Sequence, residues 1–137
     1  MTRQYSRRAF TLIELLLVMV ILAVLAAVVV PKFVNRGDDA RRSATITSIS
    51  NLETAMDAFE VDNGRYPLQD EGLAALVDPP SALTNSWKGP YIKKVPLDGW
   101  NNDFIYRYPS TLATTGYDLV SKGKDGNDGT EDDITNH

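Results

Sequence analysis

The 137-residue chain contains no cysteine and a single histidine, His137. The first absence excludes disulfides, thiol chemistry and any zinc site built on thiolates. The second excludes a histidine-based catalytic triad and a multi-histidine metal centre. Neither a Gly-Lys-Ser/Thr phosphate loop nor a Gly-x-Gly-x-x-Gly turn occurs, so the common phosphate and dinucleotide cradles are missing. Positive charge is also short, with 14 Lys and Arg against 18 Asp and Glu and a formal charge of −4. A nucleic-acid binder normally carries a basic patch, and this balance argues against one.

What the chain does have is one long apolar run. Between Phe10 and Val30 only Thr11 and Glu14 are polar, and Leu15–Val30 is unbroken. At 1.5 Å per residue this predicts a helix about 31 Å long, enough to cross a hydrocarbon core of about 30 Å. Residues 1–9 carry Arg3, Arg7 and Arg8 and no acid, which should keep that end cytoplasmic and place the remainder outside. A cleaved secretory signal competes, with Val24-Leu25-Ala26 as its small-residue site. Ordinary signal cores are shorter, however, and carry no acid near their start. A plain signal anchor explains the length but leaves Glu14 unexplained. A carboxylate one turn into a membrane helix costs about 2.5–3.5 kcal/mol on insertion scales, so Glu14 calls for a partner.

The segment Ala9-Phe10-Thr11-Leu12-Ile13-Glu14 resembles the class III signal of type IV pilins and pseudopilins. That resemblance implies cleavage between Ala9 and Phe10 by a prepilin peptidase and N-methylation of Phe10. It also implies that Glu14 neutralises the terminal ammonium of a neighbouring subunit. Two charges costly alone in lipid would then compensate each other across a growing filament. The family usually has Gly before the cut, where this chain has Ala9. Pro31 closes the apolar run and matches a proline the family commonly carries; inside a helix it removes one backbone hydrogen bond and should bend or loosen it.

Beyond Pro31, apolar residues recur at Ile46, Ile49, Leu52, Met56 and Phe59, one face of an amphipathic helix. Asp62-Asn63-Gly64 should stop it, with Gly64 left-handed. A short helix is expected over Glu71–Val77 with Asp70 as its cap, followed by loop from Ser81 to Pro90. Three strands are predicted: Tyr91–Val95, Phe104–Tyr108 and Tyr117–Ser121. The expected fold is thus α+β, a long N-terminal helix packed on a small three-stranded antiparallel sheet.

From Asp118 to His137 there are six acids and two lysines. An acidic, glycine-rich tail is often simply solvated. Here Asp125-Gly126-Asn127-Asp128-Gly129 and Asp132-Asp133 place hard oxygen donors around tight turns, which suits Ca2+ with its 6–8 oxygen ligands. It is not an EF-hand: from Asp125 the sixth residue is Thr130 rather than Gly, and the twelfth is Asn136 rather than Glu.

The second half resembles the major pseudopilins of bacterial type II secretion. Matching residues are Asp62-Asn63-Gly64-Arg65-Tyr66-Pro67, Glu71-Gly72-Leu73-Ala74-Ala75-Leu76, Trp87-Lys88-Gly89-Pro90-Tyr91-Ile92-Lys93, Pro96-Leu97-Asp98 and the segment Tyr117–Gly126. The match weakens at Gly99-Trp100-Asn101-Asn102-Asp103, where the family more often has Pro-Trp-Gly-Asn-Pro. The resemblance implies a type IV pilin-like fold and a calcium loop, with Asp125 and Asp132 as leading side-chain ligands. Asp133 and Asp128 follow, and the backbone carbonyls of Lys122 and Thr130 complete the set.

It further implies a non-enzymatic subunit with three parts: a cleaved leader over residues 1–9, a membrane-spanning and filament-core helix over 10–30, and a periplasmic domain over 31–137. The subunit would be held in the bacterial inner membrane and then polymerise into a periplasmic pseudopilus. Its implied partners are copies of itself, minor pseudopilins, the inner-membrane secretion platform, the prepilin peptidase and the membrane, with no nucleic acid. Two alternatives stand beside this reading: a type IV pilin subunit for adhesion or motility, and a signal-anchored periplasmic calcium-binding module.

Overall fold

The computed structural model describes residues 10–137 apart from Thr115, and leaves aside the side chains of residues 29–35. The expected leader over 1–9 lies outside the described residues. One helix, α1, runs Leu12–Asn63, and the chain divides into two compact units, residues 1–37 and 38–137.

In the first unit, Thr11 starts α1. The Glu14 amide donates to the Thr11 carbonyl at 3.2 Å and lies 3.4 Å from the Thr11 hydroxyl. Thr11 and Glu14 therefore occupy the N-cap and N3 positions of a Thr-x-x-Glu capping pattern, and the helix dipole favours an acid there. Large apolar side chains from Phe10 to Val28 are 49–79% exposed all around the helix. A helix apolar on every side needs a hydrocarbon or protein environment around it. Among the described residues no helix is long and apolar enough to cross a membrane; the span expected over 10–30 extends into residues whose side chains are left aside. α1 includes Pro31, and the bend expected there falls in that same stretch.

The second unit has its own core. Its part of α1 buries Thr45, Ile49, Leu52, Met56 and Phe59, spaced 4, 3, 4 and 3 as one helical face requires. The sequence reading placed Ile46 in this stripe, but Ile46 is half exposed and Thr45 is buried instead. The reason is a hydrogen-bond chain: the Thr45 hydroxyl donates to Arg41 O at 2.9 Å and accepts the Gly99 amide at 2.9 Å. α1 stops as expected, with Gly64 at φ 72° and its amide bonded to Glu60 O.

Three short strands form an antiparallel sheet in the order β1 (Ile105–Arg107), β2 (Asp118–Ser121), β3 (Ile134–Thr135). Arg107 pairs with Asp118, Ile105 with Val120, and Val120 with Thr135. Leu119 and Tyr106 join the core against α1, with Phe104 and Ile134.

The strand inventory differs from expectation at one edge. Tyr91–Val95 is not a strand: the amides of Tyr91 and Ile92 both turn to Leu76 O, which leaves no ladder to extend. The third strand comes instead from within the acidic segment. The helix expected over Glu71–Val77 is a 3-10 turn at Leu73–Leu76, preceded by Gly72 with no side-chain cap. Gly72 sits at φ 58° and ψ −162°, outside the helical region, so no helix runs back through it to the expected cap at Asp70, and Pro79 blocks extension at the other end. Ser81–Leu83 forms a second 3-10 turn in the expected loop.

Candidate functional sites

Two groups of residues carried the functional expectations, and they lie in different units. In the first unit, Phe10 is 77% exposed just before α1 and Glu14 sits in its first turn; Ala9 lies outside the described residues. The capping relation between Thr11 and Glu14 was not drawn from the sequence, although the Thr-x-x-Glu spacing displays it.

The acidic segment forms the second group. Asp132 Oδ2 accepts the amides of Lys124 (2.6 Å) and Asp125 (3.0 Å). Asp133 Oδ2 accepts the Gly129 amide at 2.7 Å, and Asp125 Oδ1 accepts the Asn127 amide at 2.8 Å. The Thr130 hydroxyl foremost, then the Asp125 and Lys124 amides, hold the Asp132 carboxyl below its ordinary pKa. Gly123 is the hinge of this arrangement. Its φ is 61°, and a Cβ there would lie 2.7 Å from Asp132 Cγ.

The remaining oxygens converge on one atom. The Thr130 hydroxyl lies 2.7 Å from Asp132 Oδ1, 3.4 Å from Asp125 Oδ1, 3.4 Å from Asp133 Oδ1 and 3.3 Å from Asn127 O. A hydroxyl has one proton to donate; Asp125 Oδ1 also has the Asn127 amide, so Asp132 Oδ1, Asp133 Oδ1 and Asn127 O are the oxygens left to share that proton. The structure thus brings together Asp125, Asp132 and Asp133, and adds the Thr130 side chain, where the sequence reading had pointed to its carbonyl. The Thr130 carbonyl accepts the Asp133 amide at 3.3 Å and keeps a second lone pair. Lys122 follows β2 directly and is half-buried. Asp128 turns away to Arg107 of β1, 2.5 Å distant, and does not join the Thr130 group. The donors are all hard oxygens, which fits calcium chemistry. Among the described residues, no three acidic or histidine side chains stand as a group able to hold a metal ion.

Around these groups the motif residues have structural partners. Arg65 forms a bidentate pair with Glu71 at 2.7 Å for both bonds. Asp62 accepts from Lys88 and from the Tyr91 hydroxyl, each at 3.0 Å. Asp98 Oδ1 accepts the Trp100 and Asn102 amides while its Oδ2 accepts the Ser121 hydroxyl.

The methylation-motif signature and this second unit both have counterparts among known proteins. Residues 5–30 match the prokaryotic N-terminal methylation motif. Residues 32–137 match the model of type II secretion system (T2SS), protein G. The chain belongs to that protein G family. The Escherichia coli K12 type II secretion system core protein G is 42% identical over 135 residues, covering 96% of this chain and 91% of the relative. The Vibrio cholerae core protein G is 38% identical over 139 residues, covering 99% and 95%. A crystal structure of the major pseudopilin from the type 2 secretion system of enterohaemorrhagic E. coli superposes with a TM-score of 0.66 at 33% identity. It covers 74% of this chain and 87% of the other. The protein G family is structural, so this chain is a major pseudopilin and not an enzyme. Membership also sets aside the two alternatives, a type IV pilin subunit for adhesion or motility and a signal-anchored periplasmic calcium-binding module.

Proposed function

We propose that this pseudopilin is cut between Ala9 and Phe10 by a prepilin peptidase, methylated at Phe10, and polymerised through α1 into a periplasmic pseudopilus. In this reading residues 10–30 first hold the subunit in the inner membrane and then form the filament core. Minor pseudopilins and the inner-membrane secretion platform are its assembly partners, and the growing filament helps folded exoproteins through the outer membrane. The observation that carries the proposal is the first unit: an apolar helix with large side chains half exposed on every side, beginning at an acid. The second unit closes its own core without that helix segment, so the apolar surface is left for membrane and neighbours.

Glu14 supplies register in this reading. Replacing Glu14 with Leu removes a charge that is costly in hydrocarbon, so insertion should be at least as good as wild type. Filament assembly should fall sharply. Wild-type filament number and length from the Glu14→Leu chain, quantified by electron microscopy, would overturn the pairing role.

The acidic segment is proposed to bind calcium. The ion would supply a divalent positive charge where Asp132 Oδ1, Asp133 Oδ1 and Asn127 O now share one hydroxyl proton. Asp125, Asp132 and Asp133 would hold it with the Thr130 oxygen, and Gly123 keeps the Asp132 backbone close enough to place that carboxylate. Binding to the folded state alone adds RT ln(1 + [L]/Kd), about 2.7 kcal/mol with calcium at 100 times Kd. Thermal melts of the full chain in detergent, with calcium, magnesium or chelator, test this directly. Superimposable curves would leave the segment a solvated turn.

A further inference from the structure

The acidic segment contains Asp125, Asp128, Glu131, Asp132 and Asp133 within nine residues. Its nearest lysine gives it no relief, because Lys124 Nζ is bonded to Asp38 of α1 at 2.6 Å. Among the described residues, one ion pair reaches the segment from another element: Arg107 of β1 to Asp128. We propose that Arg107 is a built-in counter-cation that holds the acidic segment in place without metal, making this chain's fold less dependent on calcium. The proposal rests on the calcium reading for its second half only.

The geometry explains why one cation at that point matters. Asp125, Asp132 and Asp133 each have an oxygen compensated by backbone amides, whereas Asp128 has Arg107 as its side-chain partner. Arg107 is fixed by its ladder register opposite Asp118, and its side chain is only 27% exposed. Its charge is therefore delivered from a rigid strand and not from the turn itself. Removing it leaves five neighbouring acids with no ion partner from another element.

The sign of the effect separates this role from simple propping. With Arg107 gone, carboxylate repulsion is worst in the metal-free state and is relieved when a divalent cation enters. The Arg107→Gln chain should melt lower in chelator yet bind calcium more tightly, about three- to fivefold for a partly exposed pair. A mere prop would weaken calcium binding instead. Asp128→Asn should restore the chelator melt of Arg107→Gln, Arg107→Lys should largely preserve wild-type behaviour, and 0.5 M salt should shrink the chelator difference.

The experiment is a set of melts, with and without 0.5 M salt, and calcium chloride titrations on the full chain in detergent, for wild type, Arg107→Gln, Arg107→Lys, Asp128→Asn and the Arg107→Gln/Asp128→Asn double. Lower melting in chelator reversed by Asp128→Asn, with tighter calcium binding, supports the proposal. Unchanged chelator melting, or weaker calcium binding by Arg107→Gln, overturns it. If wild type shows no calcium response, the calcium reading fails separately, and the chelator and salt arms still decide the role of Arg107.

Discussion

Gly99 is the point at which a turn touches the backbone of α1, and its substitution gives a sharp quantitative test. A Cβ built on Gly99 would lie 2.8 Å from both Arg41 C and Arg41 Cα, and closer still to the Arg41 carbonyl oxygen. All three atoms belong to helix backbone and cannot rotate away as a side-chain tip can. The Gly99→Ala chain must therefore lift the turn off α1, at about 1–3 kcal/mol for overpacking. Lifting it also breaks the 2.9 Å bond from the Gly99 amide to the buried Thr45 hydroxyl. An unmade bond of that kind adds about 1 kcal/mol or more. The sum is about 2–4 kcal/mol. Urea unfolding of the full chain in detergent, followed by tryptophan fluorescence, reads it directly because Trp100 is the next residue. Thr45→Val removes only the hydroxyl and should cost about 1–3 kcal/mol. A loss under about 0.5 kcal/mol for Gly99→Ala would refute the close-contact argument.

Asp118 gives a pH prediction. It is fully buried, and burial alone would raise its pKa. Hydrogen bonds from Ser110, the amide and hydroxyl of Thr111, and His137 outweigh burial and hold the carboxyl well below the usual range. A depressed folded pKa means the stabilisation is complete above the unfolded value of about 3.9 and is lost as pH falls below it. Asp118→Asn should therefore lower Tm at pH 7 and flatten the decline of Tm below pH 4, in melts across that range. Coexpression with a prepilin peptidase should remove Met1–Ala9 and move the formal side-chain charge from −4 to −7; an intact leader in assembled filaments, by mass spectrometry, would contradict it. Asp125→Ala should abolish any calcium-dependent Tm shift while changing little in chelator, and a preserved shift would remove Asp125 from the site.

The elements most legible in the sequence were those with a long period or a forced backbone. The apolar run, the stop at Gly64 and the strands around Tyr106 and Leu119 follow from patterning alone. Thr45 was missed because a hydroxyl looks polar in a stripe until the amide it receives, 54 residues away, is known. Tyr91–Val95 has strand composition, but its amides are captured by Leu76, a tertiary choice that local pattern does not encode. Ile134–Thr135 was hidden in an acidic stretch too short to show alternation. The acids of the calcium candidate were all legible as a group. Sorting Asp128 from Asp125, Asp132 and Asp133 required Arg107, which sequence places 21 residues away on another element.

The segment after β3 is tied to the sheet by charge and hydrogen bonds: His137 meets Asp118 Oδ1 at 3.0 Å, and Asn136 accepts the Leu119 amide at 2.8 Å. Many small extracytoplasmic domains fasten such a segment covalently, through a sulfur bridge that must be formed by an oxidant and can be undone by a reductant. This fastening needs neither. It forms at the speed of folding, is indifferent to the thiol poise of its surroundings, and needs no thiol oxidase or disulfide isomerase. Its vulnerability is moved from reductants to acid, since the same carboxylate that secures the segment lets go once it is protonated.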